Sequence, residues 1–545
     1  MNSNITKHIL VAILIISMLF SLTACKKEKT RAVSAPISSV PVSYDPQIAE
    51  GIDLETIINN CFEGLVRIDK SGNIQNGVAT SWDISNDGLT YTFHLRDATW
   101  RVPIGIGEYL EEDFIKTISK TVTADDFAFA IKRAKDPITC APGASYLSIV
   151  EDAYAEDNNT LIIKLSSPSE GFLTTLALPI CMPCQQAFFD ECAGRYGLSV
   201  NLMMSNGPYY LGLFNEETGQ VTLKKNEDYK GDNPALYNTV RFYVRTEENY
   251  LKYDIMSVSK DETKKLDESY STSRYKNAVK TFCLNASREP FVTYKSLRLA
   301  FAQATDVSAV IQDGQTRAEG IVPSCCNIHA GASYRAAANI VQSPDFDMDA
   351  ALDAFKRVKS GEENVKTVTI AEADEGHEGE KKDIKEEFKL SLNLKLVCLE
   401  DDVPVIKQVL QNWQKLFGVT LTLSLEPYKT QSELDDVIKK SEYDIAYTTI
   451  VSSDFLASDF LKRFTTDDPN NIISLESQEY DKLVNSTYRA KTKSELTEAL
   501  ISCETSLLNN GYFIPVLACD TYVAYNDNAK DVTLRPSGTV MAFYK

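Results

Sequence analysis

Gly77-Val78-Ala79-Thr80-Ser81-Trp82-Asp83-Ile84-Ser85-Asn86-Asp87-Gly88-Leu89-Thr90-Tyr91-Thr92-Phe93-His94-Leu95-Arg96 reads as a strand, a turn and a second strand. Tyr91, Phe93 and Leu95 alternate with Thr92, His94 and Arg96, the period of a half-buried strand. Asn86-Asp87-Gly88 supplies the turn chemistry before it. Upstream, Asp69-Lys70-Ser71-Gly72 sits between short apolar segments and gives 66–74 a hairpin signature. Downstream, Thr123 is placed to cap a helix bearing Phe127, Ala130, Ile131 and Ala134 on one face, and Pro137 ends it. Strand-like runs recur at 160–165, 221–225 and 240–244, and helical periodicity at 296–310, 403–416, 432–439 and 494–508. The two kinds of element mix without strict alternation, so the expected class is α/β, of the mixed α+β kind.

The chain has 545 residues, which at about 150 residues per domain allows roughly three or four domain-sized units. Hydrophobic residues make up 43% of it, enough for substantial cores, and the formal net charge is -20. Such a surface repels nucleic acid, so no nucleic-acid partner is expected. Of 12 cysteines one, Cys25, falls in the export signal described below. The odd remainder and irregular spacings read mostly as buried small hydrophobes, with one or two disulfides left open. Residues 104–120 read as a surface insertion. The acidic stretch 359–387 lacks aromatics and reads as a solvated, disordered loop. No internal repeat stands out.

Lys7 and His8 precede an apolar stretch, 9–22, of signal-peptide length, so 1–24 is expected to be removed on export. It ends in Leu22-Thr23-Ala24-Cys25, which resembles the bacterial lipobox, whose cysteine thiol takes a diacylglyceryl group. Lipidation at Cys25 would hold the chain on the extracytoplasmic face of the membrane, at about 0.8 kcal/mol per buried methylene. No other run approaches the roughly 18 apolar residues of a membrane span, so the rest is expected to be water-soluble. Residues 25–42 read as anchor and tether, flexible over the basic and then Ser/Ala/Val-rich 26–40.

Four blocks follow in order. They are Tyr44-Asp45-Pro46 with Cys61-Phe62-Glu63-Gly64-Leu65; the 77–82 and 87–96 strands quoted first; Val122-Thr123-Ala124-Asp125-Asp126-Phe127 through Lys132-Arg133 and Asp136-Pro137 to Ala144-Ser145-Tyr146-Leu147; and Asn206-Gly207-Pro208-Tyr209-Tyr210-Leu211 with Asn226-Glu227-Asp228-Tyr229. Leu297-Arg298-Leu299-Ala300 and Phe513-Ile514-Pro515-Val516 add weaker matches. Together they resemble the bacterial extracellular solute-binding proteins of family 5, which serve oligopeptide, dipeptide and nickel ABC importers. The 136–147 stretch is most similar to the oligopeptide-binding branch.

The resemblance implies a two-lobed periplasmic-binding-protein-like fold with a hinge and an additional third domain (the class II, or cluster C, type). The first lobe would comprise 43–61, 184–285 and 516–545, the extra domain 62–183, and the other lobe 286–515. It also implies a monomeric, non-enzymatic receptor, without cofactor, that closes around a peptide and delivers it to importer permease subunits. Carried over without a gap, Glu50 and Ile52 fall at ligand-contacting positions; Glu50 reads equally as a solvated loop acid. A family pocket tyrosine falls on Gly143. Near the far wall, Ile450 stands where the family has a tryptophan and Ser453 where an aspartate pairs with the peptide ammonium. Asp454 is one residue away, and Tyr447 replaces a common arginine.

Other functions have weaker support. His94, His329 and His377 form no zinc-protease motif, and no nucleophile elbow appears, which argues against an enzyme. Cys181-Met182-Pro183-Cys184, and Cys325-Cys326 with His329, are candidates for binding a metal or metal chelate, but lack a second pair at standard spacing. A receptor that senses peptides without transporting them fits the same sequence.

Overall fold

The computed structural model describes residues 31–545 apart from 213, 216–217, 247, 313, 330, 339–343, 362–364, 370–380, 386–390, 453–455 and 536, with the backbone alone for 365–369 and 381–385. Cys25, Ser453 and Asp454 lie outside the described residues.

The chain enters through β1 (Ala32–Ile37), where Val33, Ala35 and Ile37 point inward at every second position. For 32–37 this corrects the expectation of a flexible tether over 26–40: alternating small apolar residues make a strand once a partner is supplied. Helix α1 (Ile52–Cys61) follows. Next come β2 (Ala79–Ile84), β3 (Thr90–Leu95), α2 (Ala124–Lys135), β4 (Val150–Asp157) and β5 (Thr160–Leu165). They form an antiparallel sheet in the order β2-β3-β5-β4, with α2 packed against it. Helix α2 starts as expected, with Thr123 N–H donating to Asp126 Oδ2 at 2.9 Å, and stops at Lys135 ahead of Pro137. β6 (Tyr209–Leu211), β7 (Val221–Lys225) and β8 (Thr239–Val244) complete a second sheet, ordered β1-β8-β7-β6, with β1 parallel to β8. The 104–120 segment is pinned by buried Ile106, Leu110 and Ile118, while Ile104 and Tyr109 remain exposed.

β9 (Ile255–Val258) and β10 (Tyr270–Leu284) lead into the third sheet. β11 (Leu392–Leu399), α3 (Val403–Phe417), β12 (Leu421–Tyr428), α4 (Gln431–Lys439) and β13 (Ile445–Val451) form its parallel part. After α5 (Ala457–Lys462), α6 (Gln478–Tyr488) and α7 (Lys493–Asn509), β14 (Phe513–Asn526) returns beside β10. The order is β9-β14-β10-β13-β11-β12, with Thr316–Arg317 also on β14. Helices α3, α4 and α7 lie within a residue of the spans expected from periodicity. Within the stretch expected to be a disordered loop, Val365–Thr369 pairs antiparallel with Lys381–Lys385, so two β-segments interrupt it.

β10 and β14 are the longest strands, 15 and 14 residues. Their outer halves pair with each other, with β9 beside β14; the inner half of β10 also pairs with β13. Their register shifts between Tyr275 and Ala278, and again between Lys280 and Thr281, opposite Pro515. The second shift falls where proline has no N–H to give the ladder. Bulged strand pairs bend, and of these two, drawn mainly from the segments expected to form the first lobe, β10 pairs directly with β13 of the other one. One buried cluster runs through the first two sheets, and separate clusters cover the two faces of the third.

The sequence blocks meet at the joints between these sheets. Arg133 of α2 donates to Asp45 Oδ1 at 2.9 Å and Gln47 Oε1 at 2.7 Å, and pairs with Asp45 Oδ2 as well. Gln47 in turn donates to Met182 O at 2.9 Å. Glu63 pairs with Arg96, accepts from Tyr229 Oη at 3.0 Å, and is gripped through its backbone by Asn206. Gly207 passes so close to Cys61 that an added Cβ would lie 2.7 Å from its carbonyl carbon. Residues far apart in sequence are thus spent on holding the first two sheets as one body.

Candidate functional site

A cleft of about 860 Å³ opens where the first lobe's loops face the crossing strands. It is lined by the loop after β1, by Glu50 and Ile52 at the start of α1, by Val451 at the end of β13, by Thr521 on β14, and by Gly538 in the C-terminal loop. Local chemistry fixes each wall. Gly51 precedes α1 at φ 86° with nothing within 4 Å of an added Cβ, so backbone conformation rather than crowding demands glycine there. Asp53 Oδ2 accepts from Ser38 N and Oγ, both at 2.6 Å, tying the loop after β1 to the helix. Arg535 pairs with Glu55 and donates to Asn59 at 3.0 Å, and Asn60 donates to Met541 O at 2.8 Å. The chain's last turns are thereby bound to the same helix.

Glu50 stands exposed on the rim of this concavity. Partial desolvation raises its carboxyl above the usual range; Asp468 adds to the rise, and Lys462 works against it. Both neighbours come from the third-sheet side, so Glu50 feels charges from beyond its own segment. Lys462 pairs with Asp468 at 2.9 Å, and its Nζ also lies 5.4 Å from the ring centroid of Tyr146, in the stretch expected to form the extra domain. Tyr146 meets Tyr488 edge to face at 5.6 Å. Lys462 therefore sits within electrostatic reach of all three parts of the fold.

The structure brings Glu50 and Ile52 together at the cleft. Ile450, by contrast, is buried against Val279 in the core on one face of the third sheet, and its neighbour Val451 lines the cleft instead. Strand side chains alternate, which separates the two. At Gly143 an added Cβ would lie 2.9 Å from Ile180 Cδ1 and 3.0 Å from the Tyr146 ring, so those two side chains leave no room for a larger residue there. Tyr447 is buried, with the Lys280 ammonium 5.4 Å from its ring. Val451, Lys462, Asp468 and Tyr146 were not singled out as site residues. Only Tyr146 carried a signal, as part of the third block.

Cys181 and Cys184 are buried, which pushes both thiols up to about 12 and suits them to packing rather than to ligation. Among the described residues no group of three or more His, Cys, Asp or Glu side chains is placed to hold a metal ion.

The model of the bacterial extracellular solute-binding proteins, family 5 (middle), matches residues 73–471. This chain belongs to that family. The periplasmic oligopeptide-binding protein OppA of Salmonella typhimurium is 23% identical over 94% of this solute-binding protein and 93% of its own length. The substrate-binding domain of an oligopeptide ABC transporter from Bacillus anthracis superposes with TM-score 0.67 at 19% identity, covering 94% of this chain and 98% of that one. NikZ from Campylobacter jejuni, in complex with Ni(L-His), superposes with TM-score 0.68 at 18% identity over 93% and 97%. The fold of this solute-binding protein is therefore the two-lobed one with an additional domain, as its sequence blocks implied.

Proposed function

We propose that this solute-binding protein captures peptides outside the cell by closing its lobes around them, and hands them to the permease subunits of an ABC importer. The observation that carries the reading is the cleft of about 860 Å³ beside two bulged crossing strands, with an acidic rim at Glu50 and a strand end at Val451. Its size falls within the roughly 300–1,000 Å³ of small-ligand sites. An extended peptide laid along the end of β13 would be held by main-chain hydrogen bonds, which ignore side-chain identity. Glu50 would meet the ligand's polar groups, Ile52 would offer backbone partners, Ile450 would back the wall from the core, and Ser453 or Asp454 would meet the ammonium. Bending at the register shifts in β10 and β14 would supply the closure. Lipid on Cys25 would keep the monomeric receptor at the membrane.

Ligands released from the natively purified protein should be identified by mass spectrometry, and a mixed peptide pool then added to the emptied protein. Released peptides, with compaction in small-angle scattering and a raised melting temperature, are expected. No response to peptides, together with a response to Ni(II)–histidine, would overturn the peptide reading in favour of a metal chelate.

A further inference from the structure

Cys325 and Cys326 lie against the bulge of a crossing strand. Cys325 N–H donates to Lys276 O at 3.1 Å, and Ser452 N–H donates to the next carbonyl, Asn277 O, at 2.8 Å. Cys326 Sγ lies 3.4 Å from Ser452 Oγ, and the two cysteine sulfurs are 4.0 Å apart. Asn277 is fully buried; its side chain donates to Ser537 O at 2.7 Å and accepts from Thr521 Oγ1 at 2.8 Å. One hydrogen-bonded set thus joins the adjacent thiols, the bulge, the residue after Val451, and Thr521 on the cleft wall. Cys325 is partly exposed and Cys326 is buried, the arrangement of an attacking thiol beside a resolving one.

We propose that Cys325 and Cys326 are a redox-active dithiol, closed to an intramolecular disulfide by low-molecular-weight disulfides, and that closure loosens the bulge and weakens ligand capture. The last clause rests on the proposed function; the rest does not. The Cys325 thiolate attacks one sulfur of the external disulfide, a protein–ligand S–S bond forms, and the first thiolate leaves and takes up the proton Cys325 gave up. The Cys326 thiolate then attacks the Cys325 sulfur and expels the second external thiolate, which is protonated in turn. Two protein thiols are oxidised, and one external disulfide is reduced to two thiols.

The chemistry suits the place. The family is extracellular, where disulfides persist. Closing to a bond of about 2.05 Å draws Cys326 Sγ off Ser452 Oγ. Neighbouring Cα atoms stand about 3.8 Å apart, shorter than the usual disulfide range of about 4.4–6.8 Å. The small ring is therefore strained and readily reduced again, as regulatory disulfides are. A strained turn at 325–326 would also pull on the Lys276 carbonyl at the bulge.

The purified mature chain should be equilibrated in oxidised and reduced glutathione without ligand, alkylated, and read by peptide mass spectrometry. The peptide holding both cysteines should be unalkylated and two hydrogens lighter at oxidising poise, and doubly alkylated at reducing poise. Cys326→Ser should trap glutathione on Cys325, whereas Cys325→Ser should leave Cys326 reduced. Hydrogen exchange at the Cys325 and Ser452 amides should quicken on oxidation, and calorimetry with a peptide pool should show binding weakened by about fivefold, or roughly 1 kcal/mol. Wild-type Cys325 retaining glutathione, or both thiols alkylating at every poise, would overturn the dithiol. Unchanged exchange would overturn its coupling to the bulge. If exchange quickens but peptides bind neither form, the capture reading is what fails.

Discussion

Arg133→Met should be among the most damaging single changes away from the cleft. The Arg133 side chain is 10% exposed and Asp45 3%. Without the guanidinium, Asp45 keeps the Gln47 amide at 3.0 Å but no countercharge of that closeness, and Gln47 Oε1 loses its donor at 2.7 Å. Breaking a buried pair by removing one member costs about 3–5 kcal/mol, because a charge is left in low dielectric. The lost stacking of the guanidinium on Phe189, at 4.3 Å, adds to this, but methionine covers much of the same apolar surface. At about 2–4 °C per kcal/mol for a unit of roughly 150–250 residues, the melting temperature should fall by about 6–20 °C. Scanning calorimetry and urea unfolding of the mature chain would measure it. Asp45→Asn in the Arg133→Met background should recover about 2 kcal/mol, the coupling expected of residues in contact. A loss under about 1 kcal/mol, the worth of a surface pair, would refute the reasoning.

Asp126 is buried beneath Trp100, and burial raises its carboxyl to about 6 even though Trp100 Nε1 and Thr123 N both donate to it. The unfolded chain loses that proton near pH 4 (about 3.9 for a model aspartate) while the folded one keeps it, so this group's stabilisation should fade as pH rises through about 6. Asp126→Asn, whose carbonyl can accept both bonds, should flatten the slope in urea titrations between those values; an unchanged slope would sink the assignment. Gly538→Ala should destabilise the C-terminal loop, because φ is 74° and the new methyl would collide with the Tyr275 ring; proteolysis of the variant at that loop should accelerate. Cys25→Ala should move the protein from the membrane to the soluble exported fraction, and retention on membranes would contradict lipidation. Acetylating the N-terminus of a bound peptide should change its dissociation constant by less than about tenfold, or about 1.4 kcal/mol, if neutral Ser453 stands at the ammonium. A hundredfold loss, abolished in Asp454→Asn, would give that role to Asp454.

What the sequence determined by itself is local. The turn at Asn86-Asp87-Gly88, the cap at Thr123, and the periodicity of α3, α4 and α7 depend on neighbours a few residues away, and all took the expected form. The ordered blocks carried the family because they are joints: Asp45 with Arg133, and Glu63 with Arg96, Asn206 and Tyr229, are buried partners that the two-lobed fold needs. Of the cleft lining, the sequence pointed only to Glu50 and Ile52, which lie between the two halves of the first block. Tertiary structure decided the rest. β1 hides in a Ser/Ala/Val-rich stretch, because six alternating residues become a strand only when β8 lies alongside. Ile450 faces the core and Val451 the cleft because a strand's inward side is set by the sheet packed against it. Lys462 and Asp468 act on Glu50 from the third-sheet side, Tyr146 meets Lys462 from more than 300 residues away in sequence, and Cys326 meets Ser452 across 126 residues. Contacts of that range have no periodicity to announce them; the folded chain alone brings those side chains within reach.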